Sequence, residues 1–519
     1  MLTPDQSSGA TPTAWLATAD RPTFAVLSQN TTADVVVIGA GIAGLSTAYL
    51  LAREGRTVVV LEDGEIGSGE TGRTTAHLSN ALDDRYYNLE KLFGQEGARL
   101  AADSHGAAID QIERIAREEN IACDFARLDG FLFLPAGGTV KELDDELAAA
   151  HRAGLGGVER LPDARATGFH TGDCLRFPNQ GQFHILKYLN GLAQALVKRG
   201  GRIFTHTRAT EIHVIDQDVR VVTQGGAEVA AKHVVVATNT PFNDRVVMHT
   251  KQAPYRTYVV AVRVPKGSVT QALYWDTADP YHYIRLQEMP DSTSSGSAYD
   301  LLIVGGEDHK TGQESDPEER LRCLEEWTRK HFPSAQQTEF RWSGQVMEPV
   351  DSLGYAGRNP MDADNVYIIT GDSGHGMTHS TLGAMLITDL IQGRDNPWEK
   401  LYDPGRITGS LDTAKEFLKE NLNVAAEYTD LLTGGDVASA EEIAPDTGAV
   451  LRRGLAKVAV YRDPQGQQHE CSAICPHLGC VVHWNNLEKS WDCPCHGSRF
   501  SAYGELMNGP ADRGLGKVE

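Results

Sequence analysis

The chain has 519 residues, 41% hydrophobic and 23% charged, an ordinary composition for a folded protein of about three domains. Its formal charge of −22 argues against a nucleic-acid or anionic-membrane partner, because both need a basic patch. No stretch approaches the ~20 apolar residues of a membrane span, and the N-terminus lacks the basic start and apolar run of a secretory signal, so a cytoplasmic location is expected.

Residues 1–30 read as a loose arm. Asp34-Val-Val-Val-Ile38 is a β-branched run and reads as a buried parallel strand. Gly39-Ala-Gly-Ile-Ala-Gly44 follows, then a helix from Ile42 to Glu54 ended by Gly55 as a left-handed cap. Thr57-Val-Val-Val-Leu61 closes a βαβ unit. Further on, Ile185–Arg199 is expected to be helical, and Arg202–His206, Val219–Val222 and Lys232–Ala237 to be strands. Residues 255–264 and 301–305 are apolar strands, and Ser292–Ser297 reads as a surface loop. Asn365–Thr370 is a late buried strand before a helix reaching about Gln392, and 412–432 read as a connecting helix. From about 435 the pattern turns to short strands broken by Asp-Pro, Gln-Gly and Asn-Gly turns, which predicts a small β domain.

Cys123, Cys174 and Cys323 are scattered and read as small buried hydrophobes. The other five cysteines fall within 25 residues, which points to metal. Cys475-Pro-His477 and Cys493-Pro-Cys-His496 each offer one thiolate and one imidazole. A Rieske [2Fe–2S] centre needs that set, with two cysteines on one iron and two histidines on the other. A zinc site could use the same four ligands.

Residues 435–519, through CPHLGC and CPCHGSRFSAYGELMNGPA, resemble the Rieske proteins of cytochrome bc complexes. The resemblance implies cluster ligands Cys475, His477, Cys493 and His496, and a disulfide between Cys480 and Cys495, with two buried thiols as the other reading. It also implies that Ser498 hydrogen-bonds a cluster sulfur. Phe500 stands where those proteins carry a tyrosine donor, so a lower potential is expected. Cys471 is expected in the domain core, and the cluster imidazoles nearest solvent.

The Gly39–Gly44 turn follows a strand, opens a helix and is followed by a second strand ending at Glu62, the context of a dinucleotide fingerprint. Gly39 permits the turn, Gly41 the approach of a pyrophosphate and Gly44 close helix–strand packing, while Ile42 and Ala43 open the helix whose N-terminus faces the anion. Glu62 would bind the adenosine ribose. NAD and FAD share this fingerprint.

The segment Gly67-Ser-Gly-Glu-Thr-Gly-Arg-Thr-Thr-Ala-His77 is similar to one in the D-amino-acid oxidase superfamily of flavoenzymes, which includes glycine oxidase and sarcosine oxidase. Val234–Asn239, Arg341-Trp-Ser-Gly344 with Asp351 and Gly354, and Gly371-Asp-Ser-Gly-His-Gly-Met-Thr378 resemble further family motifs, although the proline expected near Ser352 is absent. The resemblance spans about 31–400. It implies FAD as cofactor, with Arg73, Thr74, Thr75, Gly371, Gly374, His375, Gly376 and Met377 joining the cofactor residues. No covalent bond to His77 is expected.

The implied fold class is α/β, an FAD-binding Rossmann-like domain of the DAO type with an α+β substrate domain, plus a C-terminal all-β Rieske domain. The implied division is a discontinuous FAD domain (31–100, 165–250 and 340–400), a substrate domain (101–164 and 251–339), a connector (401–434) and the Rieske domain (435–519). The family implies oxidation of a C–N bond in a small amine or amino-acid-like substrate by hydride transfer. Tyr258, Tyr283 and Arg285 are candidate substrate residues, Arg285 as partner of a carboxylate or as a structural ion pair, and His375 is a candidate beside the flavin. Trp342 lines the pocket or fills core. A one-electron acceptor or donor protein is the expected partner of the cluster, and a non-catalytic redox sensor or electron-transfer module is the alternative. A Rieske oxygenase is disfavoured, because the chain ends 23 residues after His496 without a further iron site.

Overall fold

The computed structural model describes residues 8–164, 166–243, 247–289, 298–314, 316–409 and 411–518. The expected loop at 292–297 and the first seven residues of the expected arm lie outside the described residues.

The β-branched runs form one six-stranded sheet, in the order Tyr355–Arg358, Val366–Thr370, His233–Val236, Val35–Ile38, Val58–Leu61 and Arg202–Phe204. All neighbours are parallel except the first pair. Such strands are apolar on both faces because both faces are covered. Helices Ile42–Arg53, Ile185–Lys198 and Gly376–Ile391 pack on one side. On the other side, Val219, Val221 and Val229 of a four-stranded sheet meet Val36 and Ile38. Gly55 takes φ +85° and ends the first long helix, as expected.

A nine-stranded sheet runs through the expected substrate domain. It includes Cys174–Gln182 and Thr338–Pro349, which the expected boundaries gave wholly or mostly to the FAD domain. Both carry apolar residues that pair with substrate-sheet strands, so sheet pairing overrides chain order there. The expected loose arm is anchored where it is described: Trp15 is fully buried and its indole N–H donates to the Thr74 carbonyl at 2.6 Å.

Residues from Thr447 onward build a three-stranded and a four-stranded antiparallel sheet. Two loops between these strands carry the cluster motifs. The connecting helix Leu411–Glu427 is tied to the nine-stranded sheet, where Lys310 Nζ donates to Glu420 Oε2 at 2.6 Å. Just beyond it, Tyr428 donates to the Leu478 carbonyl in the first cluster loop at 2.6 Å.

Candidate functional site

One large cavity runs from the glycine-rich turn to the substrate sheet, with about 2050 Å³ of open space including its mouth. The turn is built for close approach. Gly39 sits at φ +105°, and a Cβ there would lie 2.5 Å from the Ala237 carbonyl oxygen. A Cβ on Gly44 would lie 1.8 Å from the Gly39 carbonyl oxygen, so only glycine lets helix and strand pack this tightly. Helix Ile42–Arg53 has no side-chain cap, which leaves its N-terminal end turned to the cavity at Gly41 and Ile42. The Glu62 carboxylate accepts from the Ala40 N–H at 2.5 Å and the Gly64 N–H at 3.0 Å. Burial, aided by Asp63, raises its pKa well above the ordinary value. A second uncapped helix end, at His375 and Gly376, faces the same cavity. The donors and the space suit a dinucleotide: the first helix end would hold a pyrophosphate.

Of the expected cofactor residues only Gly44 and Gly371 lie behind the wall rather than in it. Arg73 touches the cavity, but its guanidinium is turned to Glu488 at 2.9 Å and to the Ser343 carbonyl at 2.8 Å. His77 also lines the cavity, between Thr75 Oγ1 at 2.9 Å and the Ile284 carbonyl at 3.2 Å, and burial lowers its pKa to about 3.

At the far end stand Thr257, Trp275, Tyr281, Tyr283, Asp83 and Asp308. Gly305 makes room for Tyr283, because a Cβ there would lie 2.1 Å from the ring. Tyr283 and Thr257 share a 2.5 Å hydrogen bond, and Tyr281 donates to Asp83 Oδ2 at 3.2 Å. His375 belongs to this end too: its Nε2 accepts from the Asp83 N–H at 2.9 Å.

Two expected substrate residues lie elsewhere. Arg285 is fully buried outside the cavity and donates to the carbonyls of Thr75, Ala76 and Phe183 and to Gln287. Its guanidinium ties three chain segments together, so the structural reading describes its surroundings. Tyr258 is buried in a separate apolar cluster, with its hydroxyl on His309 at 2.9 Å. Trp342 fills core, its indole donating to the Arg73 carbonyl at 2.8 Å.

In the C-terminal domain the two motif loops close on one another. The Cys475 and Cys493 thiols hydrogen-bond each other, and the Ser498 hydroxyl reaches Cys475. The His477 and His496 rings stand 5.0 Å apart at 86°. Cys480 and Cys495 form a disulfide joining the loops. Buried His496 Nδ1 has no hydrogen-bond partner, as a metal-ligating nitrogen would be left once the metal is set aside. Two sulfurs on one side and two imidazoles on the other fit a [2Fe–2S] cluster. Phe500 is fully buried and Cys471 lies in the domain core.

His496 is buried, contrary to the expectation, while His477 is part-exposed beside the exposed Leu478. His249 of the flavin-side domain packs edge-on against His477 at 4.9 Å and His496 at 5.9 Å. The second cluster loop lies on the cavity wall: Gln345, which lines the cavity, donates its amide to the Gly497 carbonyl at 3.1 Å. A buried ion cluster fastens the domains. Glu488 Oε1 accepts from Arg73, from Ser343 Oγ at 2.6 Å and from Thr11 Oγ1 at 2.7 Å, with Arg256 at 3.7 Å. Burial opposes ionisation of Glu488, but Arg73, Arg256 and Arg499 outweigh it and hold its carboxyl at about 2. Sequence reasoning missed His249, Gln345, Glu488, Asp83 and Asp308. Only the Asp83-Asp84 pair carried a local signal.

The comparisons agree with this geometry. Residues 34–390 match the DAO family of FAD-dependent oxidoreductases, and residues 435–519 match the Rieske [2Fe–2S] domain. The chain is 31% identical to the Rieske 2Fe-2S iron-sulfur protein YhfW of Bacillus subtilis (strain 168), over 98% of this chain and 97% of that one. It is 28% identical to the gamma-glutamylputrescine oxidoreductase of Escherichia coli (strain K12), over 71% of this chain and 86% of that one. Glycine oxidase from Geobacillus kaustophilus shares the fold, with a TM-score of 0.57 at 19% identity, over 73% of this chain and 100% of that one.

Proposed function

The chain belongs to the DAO family of FAD-dependent oxidoreductases and ends in a Rieske [2Fe–2S] domain, and from that premise we propose that it oxidises a C–N bond of an amine or amino-acid-like substrate and delivers the electrons singly to an external acceptor. Bound at these sites, FAD supplies a two-electron acceptor and the cluster a one-electron carrier.

The residues around them bind, orient and enclose. Trp275, Tyr281 and Tyr283 wall the far end of the cavity. The Asp83 N–H donates to His375 Nε2 and fixes the ring. Cys475, His477, Cys493 and His496 hold the cluster in this reading, and Ser498 supports the sulfur side. The observation that carries the reading is Gln345: one side chain borders the cofactor cavity and holds the loop of His496. A cluster fixed against the cavity suits a relay better than an independent module does.

The test uses the intact holoprotein without oxygen. Amines and N-methyl amino acids are added, with flavin bleaching followed by absorbance and the cluster by electron paramagnetic resonance. The reading expects bleaching, then a Rieske-type signal, and loss of turnover with one-electron acceptors in Cys475→Ser. A cluster that accepts electrons from dithionite but never from any amine would sink it in favour of a redox sensor or electron-transfer module.

A further inference from the structure

The far end of the cavity is lined by carboxyl groups and, among the described residues, by no lysine or arginine; His375 Nε2 stands 3.5 Å from Asp83 Oδ2. Asp83 and Asp308 line it. Asp84 and Glu348 stand close behind Asp83, both accepting from the Ser373 hydroxyl, at 3.1 and 2.8 Å. The carboxylates repel one another: burial first and then Asp83 raise Asp308 to about 7, and burial with Asp84 raises Glu348 well above its ordinary range. Asp308 Oδ1 is shut off from water and has no hydrogen-bond partner. A buried acceptor left in that state is costly unless something supplies a donor.

The cations that border the cavity among the described residues are Arg73 and Arg208, and both are engaged elsewhere. Arg73 is held by Glu488. Arg208 sits at the opposite end, between Asp63 Oδ2 at 2.9 Å and the Leu506 carbonyl at 2.8 Å. Arg285 is occupied with backbone carbonyls outside the cavity. A substrate carboxylate would therefore meet two aspartates and no guanidinium. An ammonium would meet those aspartates together with the aromatic rings of Trp275, Tyr281 and Tyr283, whose faces attract cations.

We propose that the substrate is a cationic amine with a second, non-reacting ammonium group and no carboxylate beside the reacting carbon, and that Asp308 and Asp83 bind that second ammonium. The inference rests on reading the cavity as the substrate chamber of an amine-oxidising flavoenzyme. The structures that share the overall fold include oxidases and deaminases of amino acids, so here the charge of the chamber separates the substrate class from the fold.

The test compares linear α,ω-diamines of three to five carbons, monoamines of matching length and α-amino acids on the anaerobic holoprotein. Two readouts are kept apart: perturbation of the flavin spectrum reports binding, and bleaching reports oxidation. The expected result is that diamines perturb the spectrum at concentrations at least tenfold below monoamines, and that amino acids do so weakest of all. Asp308→Asn and, as a second variant, Asp83→Asn should each shrink the diamine-over-monoamine preference by about tenfold or more, as loss of a charged hydrogen bond does. Equal or stronger binding of α-amino acids, an unchanged preference in both variants, or no perturbation by any diamine would overturn the inference. Diamines that bind selectively without bleaching would overturn the amine-oxidation reading and leave the charge selectivity of the chamber standing.

Discussion

Gln345 donates its side-chain amide to the carbonyl of Gly497 at 3.1 Å, and its backbone N–H to Glu70 Oε2 at 2.6 Å. The cavity wall and the loop of His496 are thus joined through one residue. Gln345→Leu removes the donor and strands the Gly497 carbonyl at a buried seam. The expected outcome is cluster reduction that lags flavin bleaching more than in the parent, measured by rapid-freeze electron paramagnetic resonance. Lost docking energy of about 1 kcal/mol accompanies it. Identical lag in variant and parent would show that the bond plays no part in the transfer.

Glu488 ties the Rieske domain to Arg73, Arg256 and the anchored arm. Breaking a buried pair on one side leaves uncompensated charge, so Glu488→Gln should cost about 3 to 5 kcal/mol. The folded carboxyl lies at about 2, below the unfolded value of 4.5. Its contribution is therefore complete above pH ~4.5 and is lost as pH falls toward 2. Thermal melts of the parent should thus lose stability on acidification through that window, and Glu488→Gln should show a shallower loss. Parallel curves would reject the assignment.

Much of the architecture was legible in the sequence because it rests on local or regular signals. Val35–Ile38 and Val58–Leu61 are too apolar for anything but a buried sheet, Gly39–Gly44 fits only a turn that admits a phosphate, and two short spacings bring four cluster ligands together. The chamber was not legible in this way. Arg285 has the right chemistry for a carboxylate, but whether it faces a cavity or three carbonyls depends on strands over a hundred residues away. Asp308 falls beside Thr257 through a register shift between Arg256 and Tyr258 that no local pattern announces. That His477 and His496 both meet a third imidazole depends on His249, which lies far away in the chain.

The Rieske domain also closes part of the cavity. Leu506, Met507 and Asn508 border the same cavity as Gly39 and Glu62. Arg208 pins this segment by bonding Asp63 and the Leu506 carbonyl together, and Asn508 adds a bond to Glu70 Oε1 at 3.3 Å. Arg208→Ala should loosen the seam by about 1.5 to 3 kcal/mol, so that FAD leaves roughly tenfold faster or more. Fluorescence of FAD in filtrates, followed over time, measures this directly. Release at the parental rate would mean that the seam does not retain the cofactor.

Asp308 also gives the protein a stability that depends on pH and on ligand. Its folded pKa of about 7 lies above the unfolded 3.8, because burial and then Asp83 and Glu307 disfavour its charge while Thr257 and Arg320 only partly oppose them. Below pH ~3.8 both states carry the proton and the group is neutral to stability. Between 3.8 and 7 the unfolded chain gives up the proton that the folded one keeps, so stability falls, and the cost is complete above 7. Allowing for its partial opening to the cavity, the cost is about 2 kcal/mol. Asp308→Asn should therefore raise the melting temperature at pH 8 and change it little at pH 4, a gain in stability at the expense of a binding group. A diamine should raise the parent's melting temperature more at pH 8 than at pH 5, since the ionised carboxylate is the form it pairs with. A variant less stable than the parent at pH 8 would show that the Asp308 carboxylate is already compensated within the fold.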